Sequence, residues 1–169
     1  KFNNIKVDIT TLRKEGEYLD NRHPSKIEFV KTTKEDYIRR DFTINAIYIN
    51  SKGEVIDHCN GEEDLKRKVI RMIGEPSIRF NEDPLRILRG IRFSYSLGFE
   101  LDEELKTSIR EYKHLLRNIN YSKVMEEINK MKVFGEKQAI ELLEAYEIDT
   151  IVPVRFNNKN PMNCIDMHC

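Results

Sequence analysis

The chain has 169 residues, 39% hydrophobic and 34% charged, with 29 basic side chains balanced by 29 acidic ones. That length suits one sizeable core or two small lobes, and the balanced charge supplies no global field for a polyanion, so a nucleic-acid site has to come from local clustering. No apolar run approaches the roughly 20 residues that cross a membrane, and the opening KFNNIKVDIT is not a signal peptide.

The first sixty residues carry short, strand-like apolar signals: IKVDI (5–9), KIEFV (26–30), AIYIN (46–50) and EVID (54–57). NSKG between the last two is a turn, so 46–57 is expected to be a hairpin. Residues 10–25 are polar, include Gly16 and Pro24, and are expected to form a flexible loop. TTKEDYIRR begins a short helix, with Thr32 and Glu35 in capping-box spacing. The chain opens without methionine, almost directly on a strand, which suggests a piece of a longer polypeptide.

After residue 60 the period becomes helical. Leu105, Ile109 and Leu116 line one helix, Val124, Ile128 and Met131 another, and Ala139, Ile140, Leu142 and Leu143 a third. Gly98 and Gly135 stand at expected helix ends. A strand-rich lobe followed by a helical one, joined near GEPS (74–77), is an α+β arrangement.

RFNEDPLRILRGIRF (79–93) places Arg79, Arg86, Arg89 and Arg92 around Glu82 and Asp83. Pro84 suits a first helical turn, and Asp83 before it can cap that turn. At about 100° per residue, Ile87, Leu88 and Ile91 share one face, while Arg86 and Arg89 lie on the other with Asp83 one turn below. Such a face can be simply solvated, its i,i+3 pairs worth a few tenths of a kcal/mol. The rest of the chain has to decide.

The three cysteines, Cys59, Cys164 and Cys169, show no framework spacing and fit a reducing cytoplasm. CIDMHC brings Cys164, His168 and Cys169 close together at the end of the chain, but three soft ligands without a fourth read as incidental. No metal ligands are assigned.

RRDFTINA (39–46), VIDHCNGEEDL (55–65) and RFNEDPLRILRGIRFSYSLGF (79–99) occur in this order and at these distances. Together they resemble the head and neck of the class II nucleotidyltransferases, the bacterial-type tRNA CCA-adding enzymes and their poly(A) polymerase relatives. TTLRKEGEYLDNRHPSKIEF resembles that family's flexible loop, and the resemblance covers about residues 5–153. It implies a partial nucleotidyltransferase head over 1–75, a helical neck over 76–153 that binds nucleotide and RNA, and a truncated body or tail over 154–169. It also implies a reaction: an RNA 3′-hydroxyl, on a tRNA foremost, attacks the α-phosphate of ATP or CTP, pyrophosphate leaves, and two Mg2+ ions clamp the attacking and leaving oxygens.

By that resemblance Arg40 contacts the nucleotide, Asp83 and Arg86 read its base, and Arg89 and Arg92 join the binding surface toward phosphate. Adenine and cytosine each present an amino donor beside an unprotonated ring nitrogen, whereas guanine and uracil present the reverse. A carboxylate only accepts and a guanidinium only donates, so one Asp–Arg pair can select A and C without a template.

Two features depart from the family pattern. The chain contains no Asp-x-Asp, the family's metal-binding segment, so those ligands are expected upstream and the isolated chain is expected to be inactive. Ser122 and Lys123 stand where relatives carry a Glu-Arg pair. A non-catalytic helical RNA-binding module is the competing reading. Asp83 separates the two, because a phosphate binder gains nothing from a carboxylate amid its arginines. CCA addition and poly(A) synthesis share every motif quoted.

Overall fold

The computed structural model describes residues 9–16 and 24–152. The strand expected at 5–9 lies outside them except for Ile9, and the middle of the expected loop and the C-terminal Cys/His tail lie outside them altogether.

Strand β1 (Arg13–Glu15) pairs antiparallel with β2 (Ile27–Phe29), Arg13 opposite Phe29 and Glu15 opposite Ile27. β1 falls within the stretch read from sequence as a loop. Nothing in its three polar residues announces a strand; a tertiary contact helps to hold it, the Arg13 N–H donating to Asp36 Oδ1 at 3.0 Å.

Helix α1 (Thr33–Asp36) tightens into a 3₁₀ turn, Tyr37–Arg39. Thr32 precedes it in extended backbone, but its hydroxyl donates to Glu35 Oε2 at 2.6 Å instead of accepting from a backbone N–H. The expected capping box is therefore a side-chain pair. In a one-turn helix with both groups exposed, water can reach the free N–H groups.

A second 3₁₀ turn, Thr43–Asn45, leads into the hairpin of β3 (Ile47–Ile49) and β4 (Val55–Asp57), Ile47 opposite Asp57 and Ile49 opposite Val55. This is the hairpin the alternation predicts. Asn50 Oδ1 closes its turn by accepting from the N–H groups of Lys52 and Glu54.

The remainder is mainly helical. It runs through α2 (Gly61–Arg67), β5 (Val69–Ile70), α3 (Pro76–Glu82), α4 (Leu85–Leu97), β6 (Glu100–Leu101) and α5 (Glu103–Tyr112). A 3₁₀ segment (Lys113–Asn118), α6 (Tyr121–Lys132) and α7 (Glu136–Ala145) complete it. Leu116, expected on a regular helix, lies in the 3₁₀ segment yet is buried as predicted. β5 and β6 pair in parallel, Val69 with Glu100 and Ile70 with Leu101, a link the sequence does not signal. The architecture is α+β.

The core gathers on α4. Ile87, Leu88 and Ile91 are fully buried and cluster with Phe42, Phe80, Leu105, Ile109 and Ile128, each large side chain stabilising the fold by about 1.5–3 kcal/mol relative to exposure. Gly90 interrupts the helix at a cost of about 1 kcal/mol, and the reason is close approach. A Cβ there would lie 3.3 Å from the Phe42 ring. α4 ends where Gly98 turns left-handed, at φ 65°. No helix among the described residues is long and apolar enough to cross a membrane.

Candidate functional site

Asp83 and Pro84 separate α3 from α4. The Asp83 carboxylate caps the second helix, accepting from the Leu85 N–H at 3.1 Å, as the sequence suggests. The joint places Arg79 and Glu82 before it and Arg86 one turn after it. Arg86, expected on the polar face opposite the core, is only 5% exposed. Its Nη1 donates to the Arg79 carbonyl at 2.8 Å and to Glu82 Oε2 at 2.7 Å. Glu82 also accepts from Arg79 Nη1, so one carboxylate ties two guanidinium groups. Arg79 in turn donates to the carbonyls of Arg39 and Arg40, both at 2.9 Å. The start of the helical half is thereby fastened to the RRDFTINA segment.

That segment is organised by a residue the sequence reading passed over. Asp36 is fully buried. Its Oδ1 accepts from the Arg13 N–H and from Arg39 Nε at 2.8 Å, and its Oδ2 from Arg40 Nε at 3.0 Å and the Tyr48 hydroxyl at 2.9 Å. Burial by itself would raise its pKa, but hydrogen bonds from Arg13, Arg39, Tyr48 and Arg40 outweigh burial and hold it down to about 2. The Tyr48 phenol is pushed up to about 12, first by burial and then by its bond to the Asp36 carboxylate. The available signal was the spacing of Asp36 three and four residues before Arg39 and Arg40.

A cleft of about 660 Å³ opens where these pieces meet, and it brings together Arg40, Asp83, Arg86 and Arg89. Arg13, Arg39, Asp41 and Asn45 also line it. Arg40 Nε and Nη1 are held by Asp36, Tyr48 and the Asn45 carbonyl. Arg89 Nη2 lies 2.5 Å from Asp41 Oδ2, yet Asp41 Oδ2 and Arg89 Nε are buried atoms without an aligned hydrogen-bond partner. A neighbouring cavity of about 540 Å³ shares Glu15 and Arg39 with the cleft.

Arg92, the fifth residue expected here, is not among the residues lining the cleft. Its Nε donates to Glu127 Oε2 at 2.9 Å, and its guanidinium lies 4.2 Å from the Phe93 ring centroid. It braces α4 against α6.

Among the described residues no group of three His, Cys, Asp or Glu side chains could hold a metal. Asp57 caps the following turn, accepting from the N–H groups of Cys59 and Glu62. The Cys59 thiol is pushed up to about 11, by burial first and by the Asp57 charge next, so it is a protonated, inert group.

A family model described as the Poly A polymerase head domain matches residues 1–71. The CCA-adding enzyme of Anoxybacillus flavithermus (strain DSM 21510 / WK1) is 46% identical over 127 residues, 75% of this chain and 32% of that protein. This chain's head region belongs to the class II nucleotidyltransferases. Among solved structures, the Bacillus stearothermophilus CCA-adding enzyme in complex with CTP aligns with a TM-score of 0.73 at 33% identity, covering 85% of this chain and 34% of that one. A tRNA nucleotidyltransferase complexed with a primer tRNA and an incoming ATP analog aligns with a TM-score of 0.63 at 33% identity, covering 73% of this chain and 38% of that one. The chain spans about a third of the length of the curated relatives it matches.

Proposed function

We propose that the chain carries the nucleotide-selecting part of a template-independent RNA nucleotidyltransferase, one that adds A and/or C to RNA 3′ ends, those of tRNA foremost, in the cytoplasm. The single observation that carries this reading is the cleft. It sets Asp83 and Arg86 beside Arg40 and Arg89, a carboxylate among guanidinium groups drawn from two parts of the chain. Arg40 comes from the head assigned to 1–75, and the other three come from the neck assigned to 76–153. Asp83 accepts the exocyclic amino hydrogen of adenine or cytosine, Arg86 donates to the adjacent ring nitrogen, and Arg40 and Arg89 face phosphate. A guanine or uracil would set donor against donor, leaving buried polar groups unpaired at about 1–3 kcal/mol each.

The family reaction uses Mg2+, and the described residues do not fit that ion. They offer no cluster of three candidate ligands. Asp41 is engaged by Arg89 and Asn45, and Asp57 by two backbone N–H groups. No metal-dependent step is therefore assigned to the described residues, whose part is selection and binding.

The test is a titration of the purified chain with ATP, CTP, GTP and UTP carrying a reporter on the terminal phosphate. ATP and CTP are expected to bind weakly, yet at least ~10-fold tighter than GTP and UTP, a factor equal to about 1.4 kcal/mol. Asp83→Asn, which turns part of the acceptor into a donor, is expected to erase that preference. Equal affinity for all four nucleotides, or steeply salt-dependent RNA binding with no nucleotide binding, would overturn the assignment.

A further inference from the structure

We propose that Asp36, assisted by Tyr48, is the positioning residue of this cleft, presetting the guanidinium of Arg40 for a nucleotide's phosphates; this rests on the function proposed above.

Three separated segments converge on the one carboxylate. β1 sends the Arg13 N–H, the turn after α1 sends Arg39 and Arg40, and β3 sends the Tyr48 hydroxyl. The bonds close a triangle, because Arg40 Nε donates to Asp36 Oδ2 at 3.0 Å and to the Tyr48 oxygen at 3.1 Å, while Tyr48 donates to the same Oδ2 at 2.9 Å. The Arg40 guanidinium also lies 5.1 Å from the Tyr48 ring centroid. Its Nη1 is taken by the Asn45 carbonyl at 3.2 Å, which leaves Nη2 without a partner among the described residues, on a side chain that lines the cleft. A long, flexible side chain normally surrenders rotamer entropy when it clamps a ligand. Here the protein has fixed that side chain beforehand, so the guanidinium enters binding already oriented.

Asp36 itself is fully buried and does not line the cleft, so it acts through Arg40. It is also distinct from the base-reading pair, since among the described residues its hydrogen-bond partners are Arg13, Arg39, Arg40 and Tyr48. Positioning of phosphate contacts and selection of the base are therefore separable.

That separation supplies the experiment. Phosphate-labelled ATP, CTP, GTP and UTP are titrated against the chain and its Asp36→Asn and Tyr48→Phe variants, with circular dichroism recording the fold of each. Tyr48→Phe removes one hydroxyl and keeps the ring, so it serves as the decisive variant if Asp36→Asn does not fold. The expected result is a ~10-fold loss of affinity for all four nucleotides in Asp36→Asn and ~3-fold in Tyr48→Phe, with the ratio of ATP to GTP affinity unchanged in both. A folded Tyr48→Phe that binds like the wild type, or a loss of affinity accompanied by an equal loss of selectivity, would overturn the assignment. Wild-type chain that binds no nucleotide would instead overturn the function on which it rests.

Discussion

Arg92 Nε sits 2.9 Å from Glu127 Oε2, joining α4 to α6 across 35 positions of sequence. Both side chains are largely buried, and Glu127 also accepts from Lys130. Arg92→Ala would leave the Glu127 carboxylate with only that more exposed lysine. Hydrogen bonds to charged groups are worth about 1.5–3 kcal/mol, so we expect a stability loss of about 2 kcal/mol in urea denaturation. Nucleotide affinity, measured where the variant is still folded, should be unchanged. A large loss of nucleotide binding in folded Arg92→Ala would return this residue to the binding surface.

Acid should weaken the stabilisation that the Asp36 hub gives the fold. The folded pKa is about 2 against an ordinary 3.8. A depressed carboxylate stabilises the fold fully above its unfolded pKa and loses that contribution as pH falls from about 4 through 2, a total of ~2 kcal/mol. The difference in unfolding free energy between wild type and Asp36→Asn should therefore be largest above pH 5 and shrink by that amount near pH 2. The comparison isolates this group from the other carboxylates, which titrate in both proteins. A difference independent of pH would contradict the depressed value.

Gly61 opens α2 against the 3₁₀ turn that carries Thr43 and Asn45. A Cβ at this position would collide with the Thr43 carbonyl and press on the Ile47 side chain at 3.0 Å. Because the obstruction is backbone, relief requires the turn itself to move, and that turn supplies the Asn45 carbonyl to Arg40. Gly61→Ala should cost about 1–3 kcal/mol, the usual range for overpacking, and should weaken nucleotide binding as well. Thermal unfolding beside the nucleotide titration checks both, and a variant as stable as the wild type would mean that the Thr43 carbonyl does not press on this position.

The sequence by itself determined the elements whose causes are local. The hairpin of β3 and β4 follows from alternation on either side of a polar turn that Asn50 closes with its own side chain. The Asp83 cap follows from its place before Pro84, and the buried stripe of Ile87, Leu88 and Ile91 follows from a period of 3.6. Sequence also named Arg40, Asp83, Arg86 and Arg89 as candidates for nucleotide binding, but that Arg40 shares a cleft with the other three is a tertiary outcome, held by Arg79 donating to the Arg39 and Arg40 carbonyls.

Tertiary structure decided whatever depends on a distant partner. β1 is a strand although its three residues carry no apolar alternation, and β5 and β6 are two residues each and meet across 31 positions. Asp36 looks like any carboxylate in a short helix until β1 and β3 bring Arg13 and Tyr48 to it. Arg92 has the same spacing pattern as its neighbours, and only the approach of α6 turns it to Glu127. A charged side chain's periodicity says which face of its helix it occupies. Which oppositely charged group will lie opposite that face depends on chain closure over tens of residues, and the sequence carries no local record of it.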